Sequence, residues 1–165
     1  MSRAFVNEDN AAAQADQPVE RRVSEQPNYV TAAGLEQLHA RVAQLQAQYT
    51  EQSSRGDQAD KQRQADIERD LRYFNQRLQS AQVVAAANST DKVQIGSWVT
   101  FADEDNTEQR VQLVGEDQAQ AGSGLINWDS PLGRALVGAA VGDEVLWKRP
   151  AGDQLIEVLR IEKDA

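Results

Sequence analysis

The sequence predicts an α+β chain in which an antiparallel helical hairpin precedes a small β-sheet domain with one short helix. Three observations carry that prediction. Leu35, Leu38, Val42, Leu45 and Tyr49 recur at alternating three- and four-residue spacing, as do Ile67, Leu71, Phe74, Leu78 and Ala81, which is the period of one helix face. The two series mirror each other about residue 58, the pairing of two helices that fold back on one another. Beyond residue 92 the pattern changes to alternation with a period of two, the mark of half-buried strands.

Taken in order, residues 1–28 are rich in Gln, Asn, Ala and Glu and poor in large apolar side chains. Such a segment buries too little surface to offset its ordering entropy, so a mobile tail is expected, with Phe5 and Val6 the only features suited to docking. Residues 29–84 form the hairpin. Thr31 is the expected N-cap of its first arm, which is expected to run over 31–57. SSRGDQADKQ, 53–62, is the expected tip, with Gly56 as the helix stop. Seven bases and seven acids between 31 and 84 balance the surface; such an arm has no compact core and must project from something. Residues 85–91 read as a hinge. In 92–165, SWVTFA and TEQRVQLV flank the turn DEDN, LINW is a short strand, PLGRALVG is a helix opened by proline, and EVLWKRP and QLIEVLRIE flank PAGD. The sum is about five strands with one helix on a sheet face.

Composition narrows the function. The 165 residues carry a net charge of −9, which argues against sequence-independent binding to bare DNA, since that needs clustered Lys and Arg. No independent sequence-specific DNA binding is expected either. Cysteine is absent and His39 is the only histidine, so thiolate sites, cysteine nucleophiles and His-based metal sites are excluded. No apolar run approaches the roughly 20 residues that span a bilayer, so no membrane partner is expected. The N-terminus lacks the long apolar core of a signal peptide, which leaves the cytoplasm as the expected compartment.

A start of the form YVTxxGLxxL, a polar-tipped hairpin, the stretch VQIGSWVTFADEDN with LVGEDQA, and INWDSPLGRALVGAAVGDEV together resemble the bacterial GreA/GreB-type transcription elongation factors. The likeness covers about residues 29–163. It implies a coiled coil joined to an FKBP-like C-terminal domain that docks on the rim of the RNA polymerase secondary channel. In such factors the coiled coil enters the channel, and two tip carboxylates in a GDxxEN sequence help hold a catalytic Mg²⁺ while the polymerase cuts its own transcript. The protein is thus expected to be a non-catalytic accessory factor without a cofactor of its own, any Mg²⁺ being shared with the polymerase.

On that pattern Gly56 and Asp57 match the family's Gly-Asp, Asp60 stands at its glutamate, and Lys61 replaces the following asparagine. Relative to the family pattern each arm is about one heptad short, which retracts the tip by roughly 10 Å at 1.5 Å per residue. A second alignment deletes the tip sequence and leaves Gly-Asp as coincidence. Two readings therefore stand: Asp57 and Asp60 are Mg²⁺ ligands, or Asp57 caps the second helix with Asp60 in its first turn. Asp129, Ser130 and Pro131 match the docking loop, with Trp128 beside it as an anchor, although Ser130 and Pro131 also suit a plain helix start. Trp98 and Trp147 read as sheet packing. Lys61 and Arg63 are candidate contacts to the nascent RNA 3′ end, while Arg69, Arg72 and Arg77 read as a solvated face. The expected function is a regulator of transcription elongation that inserts a short coiled coil without efficient cleavage stimulation. The alternative is an active cleavage cofactor using Asp57 and Asp60; a third reading is self-association through the hairpin.

Overall fold

The computed structural model describes residues 19–164; the expectations for Phe5, Val6 and the rest of 1–18 lie outside these residues. Two compact units divide the chain, one comprising His39–Gln79 with the stretch up to Ser24, the other Glu25–Leu38 with Ser80 onward.

The hairpin unit is built from two helices, α1 (Ala32–Ser54) and α2 (Lys61–Ser80). The first ends where Gly56 adopts φ +55, a left-handed conformation that glycine takes without Cβ strain. A 3₁₀ turn, Gly56–Gln58, then reverses the chain at the predicted fold point. Mirror pairing holds along the arms: Ser53 accepts a hydrogen bond from Gln64 at 3.3 Å, and the Arg41 guanidinium lies 5.6 Å from the Phe74 ring centroid. Val42, Leu45 and Ile67 are buried on the predicted seam.

On α2 the burial departs from the seam. Leu71, Phe74 and Leu78 are half-buried, whereas Tyr73 and Arg77 are 7% and 2% exposed. Arg77 is therefore not the solvated residue that its off-seam position suggested. Part of the reason is a third layer. The N-terminal segment crosses α2, with the Arg21 guanidinium 4.0 Å from the Tyr73 centroid and Glu20 held by the fork of Arg72. The Arg72 hydrogen bonds hold the Glu20 carboxyl below the usual carboxylate range despite some desolvation.

The second unit holds a two-residue strand β1 (Tyr29–Val30) parallel to β2 (Gln82–Val83), a pairing that period-two patterning cannot flag because the strands are too short. Thr31 caps α1 as predicted: its Oγ1 accepts from Gly34 N at 3.0 Å and donates to Gln118 Oε1 at 2.7 Å. Ala87, in the segment read as a hinge, is buried and its carbonyl accepts the amide of Asp164 at 3.1 Å.

The main sheet comprises β3 (Trp98–Ala102), β4 (Glu108–Val114), β5 (Leu125–Asn127), β6 (Glu144–Trp147) and β7 (Gln154–Glu162). Its order is β5-β4-β3-β7-β6, antiparallel except where β5 runs parallel to β4. The DEDN turn closes as predicted, with Asp103 Oδ1 accepting the amides of Asp105 and Thr107. The register on β7 slips between Thr100 and Phe101, leaving Leu159 unopposed, so the buried positions run Ile156, Val158, Ile161 and not in strict alternation. The core forms where those residues meet Phe101, Leu113 and Leu136, the last from helix α3 (Pro131–Leu136). No helix among the described residues is long and apolar enough to cross a membrane.

Candidate functional site

The hairpin tip is held by one buried amide. Gln52 is 4% exposed, and its Oε1 accepts the backbone N–H of Asp60 at 3.2 Å, tying the end of α1 to the start of α2. Asp60 then caps α2, its Oδ1 accepting from Arg63 N at 3.1 Å. Capping thus falls to Asp60 and not to Asp57, because the 3₁₀ turn places Asp57 three residues too early. Asp57 is exposed, and its carboxylate has no hydrogen bond or ion pair among the described residues. The side chains of Lys61 and Arg63 are likewise exposed. Among the described residues no three His, Cys, Asp or Glu side chains cluster to hold a metal ion.

These contacts separate the two aspartates experimentally. Asp60→Ala is expected to cost about 0.5–2 kcal/mol, the usual cost of losing an N-cap. Asp57→Ala should stay within about 0.5 kcal/mol of wild type, as exposed substitutions do. Urea unfolding monitored by helix circular dichroism measures both.

The sheet unit presents the second candidate site at the start of α3. Here Asn127 ends β5, and its Oδ1 accepts the amide of Asp129 at 3.0 Å, turning the chain. Ser130 accepts from Gly133 N at 3.1 Å and donates to the Asn127 carbonyl at 2.7 Å, so it caps the helix and ties it to the strand at once. Pro131 follows in the first turn, where a missing N–H costs nothing. Asp129 is clamped by Arg134 through contacts of 2.9 and 2.7 Å. Trp128 is half-buried, its ring 5.3 Å from that of Tyr29, which makes it a packing residue more than a free anchor.

The loop borders an open apolar groove of about 680 Å³, lined among others by Leu125, Ile126, Pro131, Leu132, Trp147 and Pro150. Among the described residues its charged lining consists of Lys148 and Arg149. A smaller recess of about 390 Å³ lies on the other side, walled by Asp129, Arg134, Ala135 and Leu146. Pro131 and Lys148 border both, so the exposed proline stands as a ridge between two hollows. Sequence reading found the loop but missed the groove, which needs the 147–151 turn, distant in sequence, to be brought opposite β5. The one available signal was Trp147 beside Lys148–Pro150, an aromatic followed by bases and a proline in a turn.

A family model described as "Transcription elongation factor, GreA/GreB, C-term" matches residues 88–163. The chain is 36% identical over 146 residues to a transcription elongation factor GreA of Sphingopyxis alaskensis, covering 79% of this chain and 92% of that protein. It is 34% identical over 156 residues to a transcription elongation factor GreB of Neisseria meningitidis serogroup B, covering 84% and 96%. A crystal structure of GreA factor homolog 1 (Gfh1) of Thermus thermophilus aligns at 24% identity over 83% of this chain and 99% of that one, with a TM-score of only 0.41. A relative 36% identical that is matched over nearly its whole length leaves no ambiguity of membership: the chain belongs to the GreA/GreB family of transcription elongation factors.

Proposed function

We propose that the protein docks on the rim of the RNA polymerase secondary channel through Asp129–Pro131 and the flanking hollows. From there it presents its short hairpin to the channel without efficiently stimulating transcript cleavage. The observation that carries the docking is the Pro131 ridge between two hollows, with basic lining residues in the larger one on a chain of net charge −9. Apolar concavity with a few placed charges is what a protein partner can bury, and a local basic lining favours a partner with acidic groups at its edge. Trp128 contributes by holding the loop from behind.

The reading of the arm rests on length and on the cap. Helices of 23 and 20 residues extend only about 35 and 30 Å at 1.5 Å per residue. Asp60 is engaged by its own helix, which leaves Asp57 as the free carboxylate. One monodentate ligand on a retracted tip is a weak Mg²⁺ site, so no cofactor is assigned to the protein itself. Lys61 and Arg63 are exposed at the tip, and on this reading they would meet the 3′ end of an extruded transcript. The alternative, a cleavage cofactor that lends both Asp57 and Asp60 to the polymerase Mg²⁺, requires the docked pose to shift inward by the missing length. The compartment that follows from a polymerase partner is the cytoplasm.

Binding tests the docking directly. Pro131→Glu keeps a residue that suits the first helical turn but puts a charge on the ridge. Titration of the labelled protein with RNA polymerase core is expected to show at least a roughly tenfold loss of affinity, as for a central interface residue. The melting temperature should be unaltered. Equal affinity of the variant and wild type would remove this loop from the interface.

A further inference from the structure

The segment before residue 25 makes a set of contacts that neither docking nor the tip explains. Tyr73 falls off the α2 seam that the sequence spacing defines, yet it is only 7% exposed. Arg21 is part of its cover. Its guanidinium sits 4.0 Å from the Tyr73 centroid and 5.0 Å from that of Phe74, within cation–π range of both rings. The same guanidinium approaches Asp70 at 3.5 Å. One residue earlier, Glu20 is forked by Arg72, with Nε at 3.0 and 3.2 Å from its two oxygens. The charges alternate on both sides: minus and plus at Glu20 and Arg21 meet plus and minus at Arg72 and Asp70. Such an arrangement fixes the register of the segment on the helix, because a one-residue slip would oppose like charges. Phe74 extends the stack, since Arg41 of α1 approaches the same ring at 5.6 Å. The layers therefore run from the N-terminal segment through α2 to α1.

We propose that residues 19–24 are a clasp that braces the hairpin arm and is released by ionic strength. An antiparallel pair of helices with few buried apolar residues, here Leu38, Val42, Leu45 and Ile67 on the seam, opens easily by itself. The clasp adds a third layer whose attachment is an aromatic–guanidinium stack, an exposed ion pair between Glu20 and Arg72, and a partly buried one between Arg21 and Asp70. Salt weakens exposed pairs within a Debye length, so the arm is stiff at low ionic strength and loosens as salt rises.

Hydrogen–deuterium exchange on the full chain, without polymerase, tests this separately from the proposed function. At low salt, Arg21→Ala is expected to accelerate exchange of the α2 amides over 69–77 by about fivefold, the combined weight of one ion pair and one cation–π contact. Exchange in the sheet strands should be unchanged. Arg72→Glu should behave similarly, and the swap Glu20→Arg with Arg72→Glu should restore most of the protection. Wild type in about 1 M salt should approach the single variants, since the Debye length there is about 3 Å. Unchanged exchange of α2 in Arg21→Ala would overturn the clasp. So would equal acceleration in the sheet strands, or failure of the swap to recover protection.

Discussion

Added to a backtracked elongation complex, the protein is expected to leave the rate of transcript cleavage within about twofold of that of the polymerase alone, a barrier change below 0.5 kcal/mol. The same protein in excess is expected to suppress cleavage stimulated by a full-length family member, because both would compete for one docking surface. The physical reason is reach. On the proposed reading, arms shorter by about a heptad would withdraw the tip by roughly 10 Å, whereas a Mg²⁺ ligand must lie at about 2.1 Å. The local chemistry points the same way, since the Asp60 carboxylate accepts the Arg63 amide and the Asp57 carboxylate has no partner among the described residues. Asp57→Ala and Asp60→Ala should therefore leave cleavage at the unstimulated level. Stimulation by wild type that vanishes in both variants would establish the opposite role.

Gly133→Ala is expected to destabilise the sheet unit by about 1–3 kcal/mol, the range for forcing a methyl into packed surroundings. It should also abolish measurable polymerase binding. A glycine inside an exposed helix would ordinarily gain about 1 kcal/mol on becoming alanine, so the expected sign is reversed here. Gly133 is buried in the first turns of α3, and a Cβ on it would overlap the backbone carbonyls of Asn127 and Trp128. Backbone cannot rotate aside as a side chain can. The strand-to-helix connection would have to open, displacing Ser130 and Pro131, and the ridge between the two hollows would be lost. Thermal unfolding and the polymerase titration read the two effects independently.

The local parts of this protein were legible because they depend on near neighbours in sequence. Mirror spacing of leucine-like residues located the hairpin reversal to within the 3₁₀ turn at Gly56–Gln58. Thr31 and Ser130 announced themselves as caps, since each is followed within three residues by the amide it accepts. DEDN was recognisable as a turn because Asp103 folds back on amides two and four residues ahead. The membership of the family was legible in the same way, from runs such as DSPLGRALVG.

What needed three dimensions were the features whose partners are remote. Asp60, not Asp57, caps α2 because the 3₁₀ turn and the Gln52 amide decide where the helix begins. Trp128 turned inward because Tyr29, about a hundred positions earlier, supplies a ring to pack on. The apolar groove exists only where β5 and the 147–151 turn converge. Tyr73, off the hairpin seam, is covered because Arg21 returns across α2. The sequence by itself determined the helices, the strands of the main sheet and the family, since periodicity and caps are set by contacts a few residues apart. Only the tertiary structure decided which side chains are free to act, because exposure and charge pairing depend on neighbours that chain order does not announce.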